Sequence, residues 1–159
     1  MVGIVNAQNA LNEPNAHNEP NVPNDPNEQW LGDSWLATIK RFEDLECWQE
    51  ARKLVNIVYE AINGSQEFQK DYRLNGQITG AAISVMNNIA EGWASQSNNE
   101  FIRFLTYSRR SCAETQNCLY IASDQQYITE NTFKEIYDQG IKTIKIIDGL
   151  LRYLRSQRS

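Results

Sequence analysis

The positions of the prolines divide this sequence into two parts that must fold differently. All four prolines lie within the first 26 residues of a 159-residue chain, at Pro14, Pro20, Pro23 and Pro26. Proline interrupts a helix because it lacks an amide hydrogen and its ring clashes with the preceding turn. The rest of the chain carries no such interruption and can form long helices.

Beyond Glu43, apolar residues recur at steps of three and four, the spacing that places them on one face of an α-helix. Four such segments follow one another, and they span approximately residues 43–63, 71–92, 97–122 and 132–154. Four amphipathic helices with short connections predict an antiparallel up-down-up-down four-helix bundle. The predicted fold class is therefore all-α.

Three helix ends carry local sequence signals. Ser97 and Glu100 have the spacing of a capping box, in which each side chain accepts a hydrogen bond from the other residue's backbone amide. Thr132 and Glu135 are spaced for a second box at the start of the fourth helix. We expect Gly64 to end the first helix, because glycine accepts the left-handed backbone of a helix stop.

The second helical segment has no charged residue from Leu74 to Ala90. Its apolar stripe is flanked by small or amide-bearing residues such as Gly80 and Asn87. A helix so free of charge is normally surrounded by protein. We therefore expect this helix to lie in a subunit interface.

The first 40 residues form a separate acidic segment. The letters NEPNAH, NEPNVP and NDPNEQ repeat a six-residue unit between Asn12 and Gln29, and so little apolar surface cannot offset the entropy of ordering. Residues 1–39 carry five acidic side chains and no Lys or Arg, whereas residues 40–159 carry 15 of each sign. We predict a disordered tail over residues 1–40 and a four-helix bundle over residues 41–159. The end of the tail carries a short apolar segment, which we expect to pack onto the bundle and which comprises Trp30, Leu31, Trp35, Leu36 and Ile39.

The side chains that catalysis and metal binding usually require are missing or scattered. The single histidine, His17, lies in the tail, and the three cysteines lack the spacing of a metal site. No phosphate-binding glycine motif or nucleophile elbow is present. We predict no enzymatic activity, no cofactor and no metal. With no export signal and no apolar stretch of membrane-spanning length, we expect a cytoplasmic protein that does not contact a membrane.

Basic residues on the third and fourth segments raise nucleic-acid binding as a function, since such patches attract phosphates. From Gln139 to Ser159 there are five basic residues against one acidic residue. The predicted phosphate-contacting residues are Arg103, Arg109, Arg110, Lys142, Lys145, Arg152 and Arg155. The same residues also suit a solvated helix face, and the domain is neutral, so an oligomeric protein-interaction scaffold with no nucleic-acid affinity stays open as the alternative.

Three motifs occur in order along the bundle: Phe42-x-x-Leu45-x-x-Trp48-Gln49-x-Ala51, Asn88-Ile89-Ala90-Glu91-Gly92 and Glu100-Phe101-x-x-Phe104-Leu105. With these motifs, the chain resembles the bacterial four-helix-bundle proteins encoded in 23S rRNA intervening sequences. The accessory variability determinant of diversity-generating retroelements belongs to the same family. The motif residues to which we assign a structural role are Trp48, Asn88, Glu91, Gly92, Glu100 and Phe101.

The resemblance covers about Arg41 to Leu154 and implies a homo-oligomer, typically a pentameric ring, with a basic surface suited to RNA or DNA. In the retroelement members, the ring partners a reverse transcriptase and its template RNA. The resemblance implies no enzymatic activity. We therefore expect a non-catalytic, homo-oligomeric accessory protein that binds nucleic acid, with a reverse transcriptase as its expected partner. The loop after the second motif, residues 93–99, departs from the family because it carries no cation.

Overall fold

The computed structural model describes residues 35–157, so the greater part of the predicted tail lies outside the described residues. The described part contains helices and no strand. Two short 3-10 helices, Trp35–Thr38 and Phe42–Asp44, come first. The α-helices that follow are α1 (Glu46–Asn63), α2 (Gln66–Lys70), α3 (Tyr72–Ala94), α4 (Asn98–Asp124) and α5 (Glu130–Ser156).

The four long helices form the predicted antiparallel bundle, with α1 and α4 running in one direction and α3 and α5 in the other. Each of α1 and α4 packs against both α3 and α5, and the most extensive contact is between α3 and α4. The short connections at residues 95–97 and 125–129 enforce this order, because a chain that turns so soon must pack beside itself. The all-α fold class predicted from the spacing is confirmed.

The core lies between the four helices. The stripe at helical spacing on α4 is buried along its whole length, and its seven members are Phe101, Leu105, Ser108, Cys112, Thr115, Leu119 and Ala122. Two polar members of that stripe find partners inside the bundle. The Ser108 hydroxyl donates to the Val85 carbonyl of α3 at 2.9 Å, and the Thr115 hydroxyl donates to the Ser111 carbonyl at 2.9 Å. These bonds remove the penalty of burying an unpaired hydroxyl.

The helix caps agree with the sequence only in part. Ser97 caps α4, and its hydroxyl accepts from the Glu100 amide at 3.5 Å, but the Glu100 carboxylate pairs with Arg103 instead of returning to the cap. The second predicted capping box is wrong. α5 begins at Glu130, and the Thr129 hydroxyl accepts from the Thr132 amide at 3.2 Å, so the cap lies three residues earlier than expected.

The junction after α1 also differs from the expectation. Gly64 ends α1 in a right-handed conformation, with φ −78° and ψ −10°, so the predicted left-handed stop is wrong. The chain instead enters the short helix α2, whose N-cap is Ser65. α2 buries Phe68, whose ring stacks on Tyr127 at 5.5 Å between centroids. This contact ties α2 to the segment that joins α4 and α5.

The short apolar segment that precedes the bundle packs onto it where the structure describes its side chains. Leu36 is 1% exposed, and Ile39 packs against the core. The remaining members of the segment, Trp30, Leu31 and the side chain of Trp35, lie outside the described part. Leu36 therefore extends the buried core beyond the four long helices.

Candidate nucleic-acid interface

The second and third motifs meet at the junction between α3 and α4. Gly92 faces the first turns of α4, where a Cβ atom would lie 2.8 Å from Phe101 Cδ2 and 2.8 Å from Phe104 Cβ. Both distances are shorter than the non-bonded contacts that Cβ atoms make in proteins, so any other residue at this position would force the two helices apart. Trp93 packs beside it, with its ring edge to face with Phe101 at 6.1 Å. These residues fix how closely α3 and α4 approach.

The other motif residues are less uniform in their contacts. The Asn88 side chain donates to the Ser84 carbonyl at 2.7 Å and to the Ser84 hydroxyl at 3.0 Å, one turn back along α3. Trp48 is half-buried, with its ring edge to face with Phe42 at 5.3 Å. Glu91 is exposed, and nothing in the described part of the structure explains its place in the motif.

All seven predicted phosphate-contacting residues are exposed, but three of them already pair with carboxylates. Arg103 pairs with Glu100 one turn away on α4. The Arg109 side chain reaches across to α5 and donates to Asp148 at 2.8 Å. The third pair joins Lys142 to Glu50 of α1 at 3.0 Å. The positive charge of these three side chains is therefore offset where they stand.

Arg110, Lys145, Arg152 and Arg155 have no carboxylate partner among the residues that the structure describes. Lys145, Arg152 and Arg155 follow one another along the C-terminal half of α5. Arg110 lies instead on α4, beside a polar groove of about 530 Å³ between α3 and α4. The structure thus places three free cations together and the fourth on a neighbouring helix.

Glu50, which no local sequence pattern indicates, also belongs to the candidate site. Its side chain is 6% exposed, and its two oxygens accept hydrogen bonds from Lys53 at 2.7 Å, from Gln139 at 2.8 Å and from Lys142 at 3.0 Å. Burial alone would raise the pKa of Glu50, but these hydrogen bonds outweigh it and lower the pKa to about 2. One buried carboxylate thereby holds two exposed ammonium groups side by side across α1 and α5.

A second feature without a clear sequence signal is a groove of about 570 Å³ on the outer side of α1, which we call the α1 groove. The Arg52 guanidinium lies over the indole of Trp48, 5.9 Å from the ring centroid. The residues that line the groove are Arg41, Glu43, Trp48, Gln49, Arg52, Lys53 and Asn56. It therefore combines cations, amides, one aromatic ring and one carboxylate, that of Glu43.

Charge is separated along the bundle axis, although residues 40–157 together carry a net charge of only −1. Because neighbouring helices are antiparallel, each half of the bundle contains the N-terminal halves of two helices and the C-terminal halves of the other two. The basic half contains eleven Lys and Arg against seven Asp and Glu, and the acidic half contains three against eight. The basic half comprises residues 40–54, 83–112 and 142–157, and the acidic half comprises residues 55–82 and 113–141. The net charges are therefore +4 and −5.

The family model for the 23S rRNA-intervening sequence protein matches residues 43–149, which is most of the bundle. This chain belongs to the 23S rRNA-intervening sequence protein family. A solved structure from Bacteroides thetaiotaomicron, described as a protein with unknown function from the S23 ribosomal protein family, is similar in fold, with a TM-score of 0.60 and 23% identity. The match covers 67% of this chain and 95% of that chain. No curated protein matches this chain.

For this member of the intervening-sequence family, neither the family description nor that of the solved structure names a catalytic activity. Across residues 35–157, no three His, Cys, Asp or Glu side chains are grouped so that they could hold a metal ion. Within the same range, no helix has both the length and the apolar character needed to cross a membrane.

Proposed function

We propose that this chain is a non-catalytic, homo-oligomeric accessory protein that binds nucleic acid through the basic half of its bundle. The observation that carries the proposal is the separation of charge into halves of +4 and −5. Zero net charge would argue against a dedicated binder, but a phosphate backbone responds to the local field and not to the sum. The basic half supplies that local field.

Within the basic half, α5 contributes the largest share of free charge. Lys145, Arg152 and Arg155 are exposed and unpaired among the described residues, so a phosphate can bind them without breaking an existing ion pair. Arg109 and Lys142 contribute less, because each must keep or exchange its carboxylate partner. The expected contact surface is therefore centred on the C-terminal half of α5.

Charge reversal at matched positions tests this proposal. The full chain with Lys145→Glu and Arg152→Glu is compared with the full chain with Lys70→Glu and Lys134→Glu, which makes the same change of charge in the acidic half. Binding of a labelled RNA and a labelled DNA is measured by fluorescence anisotropy at low salt. We expect the first variant to lose at least tenfold in affinity and the second less than threefold. Equal losses would mean that the basic half is not the binding surface, which contradicts the proposal. No binding by the unmodified chain would leave the protein-interaction scaffold as the function.

The proposal includes assembly through the outer face of α3. Gly76 and Gly80 are exposed there, and a Cβ atom on either would meet nothing within 4 Å. Ile83 on the same face is half-buried, and Asn87 is exposed. An uncharged face with open space over its glycines is suited to cover by a second copy of the chain.

Light scattering of the full chain tests the assembly, for which we expect several subunits and most simply five. Gly80→Arg should reduce the number of subunits, because it places a long charged side chain on the uncharged face. Ala113→Arg, an exposed small-to-Arg change on α4, should leave the assembly intact. A concentration-independent monomer would contradict this part of the proposal.

A reverse transcriptase with its template RNA is the partner that the family resemblance supports. The acidic half of the bundle leaves a second surface, of opposite sign, for a protein partner while the basic half holds the RNA. We expect the chain to co-purify with a reverse transcriptase encoded beside it, and we expect this complex to survive nuclease treatment. Loss of the complex on nuclease treatment would show that RNA alone joins them.

A further inference from the structure

We infer that the α1 groove is a base-stacking subsite for single-stranded nucleic acid, with Trp48 as its stacking surface. The inference rests on the proposed function and names the form of nucleic acid that the site takes. It adds α1 to a surface that sequence reasoning placed on α4 and α5 alone. Its support comes from the chemistry of the groove and from its connection to the basic half.

The groove offers the two kinds of group that an unpaired nucleotide needs. The half-buried indole of Trp48 is braced from one side by the edge-to-face contact with Phe42, which holds the ring in a fixed orientation. Aromatic rings in such positions stack on nucleic-acid bases of any sequence. Arg52 has no carboxylate partner among the described residues and can neutralise a phosphate beside a stacked base. Arg41 and Lys53 also line the groove but contribute less, because Arg41 lies 3.8 Å from Asp44 and Lys53 lies 2.7 Å from Glu50.

Arg52 is the groove cation best placed to contact a base that stacks on Trp48. It is exposed and has no carboxylate partner among the described residues, and its guanidinium lies over the Trp48 ring at 5.9 Å. That separation is wider than the distance of direct stacking, so the guanidinium does not rest on the ring. It can move outward and cover the second face of a base that is stacked on Trp48. Guanidinium planes and aromatic rings are the usual surfaces on which proteins hold unpaired bases.

Two amide side chains of the groove can form hydrogen bonds with the edge of a base. The Gln49 amide group donates to the Glu43 carbonyl at 3.0 Å, which fixes the side chain and leaves its amide oxygen free to accept. Asn56 is exposed at the other side of the groove and can either donate or accept. Because one amide is fixed and the other can either donate or accept, we expect the groove to prefer some bases weakly and not to recognise one sequence.

The groove is continuous with the cations of α5 through the buried carboxylate. Lys53 lines the groove and binds one oxygen of Glu50, while Lys142 binds the other. Lys145 follows one turn further along α5. Glu50 therefore acts as a positioning residue, because it holds ammonium groups from two helices next to each other and joins the α1 groove to the basic surface.

A single strand fits this arrangement better than a duplex does. In a duplex, each base is stacked on its neighbours and paired, so an indole recessed beside α1 has no free base to contact. A single strand can turn one base into the groove while its phosphates follow Lys53, Lys142 and Lys145. We therefore expect the groove to discriminate between the two forms.

The test compares two probes on the full chain at low salt. One is a short oligothymidylate, and the other is a DNA hairpin with the same number of phosphates whose two strands are joined by a non-nucleotide linker, so that it offers no unpaired base. Trp48→Leu should weaken binding of oligothymidylate by about tenfold and binding of the hairpin by less than twofold. Trp48→Phe should restore most of the loss. Tyr59→Leu, which removes an exposed aromatic ring from the same helix outside the groove, should change neither affinity.

Arg52→Gln keeps the inference testable if Trp48→Leu unfolds the domain, because Arg52 is exposed and its loss leaves the core intact. We expect it to weaken binding of oligothymidylate about fivefold and to spare the hairpin. Equal loss on both probes, or no loss on either, would overturn the inference. If only Lys145→Glu with Arg152→Glu abolishes binding, the inference fails and the proposed function stands. If the unmodified chain binds neither probe, the proposed function fails first.

Discussion

Replacing Gly92 by alanine tests whether the junction of α3 and α4 is as close as the structure shows. The added Cβ atom would lie 2.8 Å from Phe101 Cδ2 and 2.8 Å from Phe104 Cβ. Comfortable carbon–carbon contacts begin at about 3.5 Å, so the shortfall is about 0.7 Å at each atom. The Phe104 atom is attached directly to the backbone, and a change of rotamer cannot move it. The helices themselves must separate.

The expected cost follows from two opposing effects. Forcing an extra methyl group into a packed contact typically costs about 1–3 kcal/mol. Alanine in place of glycine within a helix returns about 1 kcal/mol, because it restricts the unfolded chain. Gly149→Ala is the matched control, since its Cβ atom meets only the Arg152 side chain, at 3.9 Å. The difference in stability between the two variants is therefore expected to be about 1–3 kcal/mol, with Gly92→Ala the less stable.

Urea denaturation followed by circular dichroism measures that difference, and thermal melting gives an independent value. A difference of this size corresponds to roughly 4 °C of melting temperature per kcal/mol for a domain of this length. If Gly92→Ala is as stable as Gly149→Ala, the helices do not approach as the structure shows. The steric account of the second motif would then be wrong.

Three further changes have definite expected outcomes. The pKa of Glu50 is lowered to about 2 from an ordinary 4.5, so the ionised carboxylate stabilises the fold fully above about pH 4.5 and this stabilisation is lost as the pH falls towards 2. Because its lysine partners are exposed, the stabilisation is limited to about 1–2 kcal/mol. The difference in urea stability between the wild type and Glu50→Gln should therefore shrink by that amount between about pH 5 and pH 2. A double-mutant cycle on Arg109 and Asp148 should give a coupling energy of only about 0.5 kcal/mol, which high salt reduces, and a value above 2 kcal/mol would contradict this. Ser108→Ala removes the hydrogen bond to the Val85 carbonyl and should cost about 1 kcal/mol in urea denaturation, whereas an unchanged midpoint would mean that the bond contributes nothing.

The fold was accessible from the sequence because helical spacing is a local signal. The stripe from Phe101 to Ala122 could be read from seven positions on one segment, and each proved to be buried. Signals that occur twice in a short stretch were less decisive. Both Thr129 and Thr132 suit a cap, and only the packed structure shows that Thr129 serves. The helix α2 is too short to show any periodicity, so Phe68 was not expected in the core.

The candidate site depended on contacts that spacing does not reveal. Glu50 falls on the buried stripe of α1 between Cys47 and Leu54, and its partner Gln139 lies 89 residues away, so no local pattern connects them. The separation of charge was hidden for a related reason. Summed along the chain, residues 40–157 carry a net charge of only −1, and the +4 and −5 halves emerge only when antiparallel helices bring distant ranges to the same end.

The dependence of RNA affinity on salt, measured on the full chain, tests the central claim most directly. If phosphates bind the basic half, the logarithm of affinity falls linearly with the logarithm of salt concentration, because bound counterions are released. The account predicts a clear negative slope, which becomes shallower by about two in the variant with Lys145→Glu and Arg152→Glu. A slope near zero, or one that the variant leaves unchanged, would contradict it.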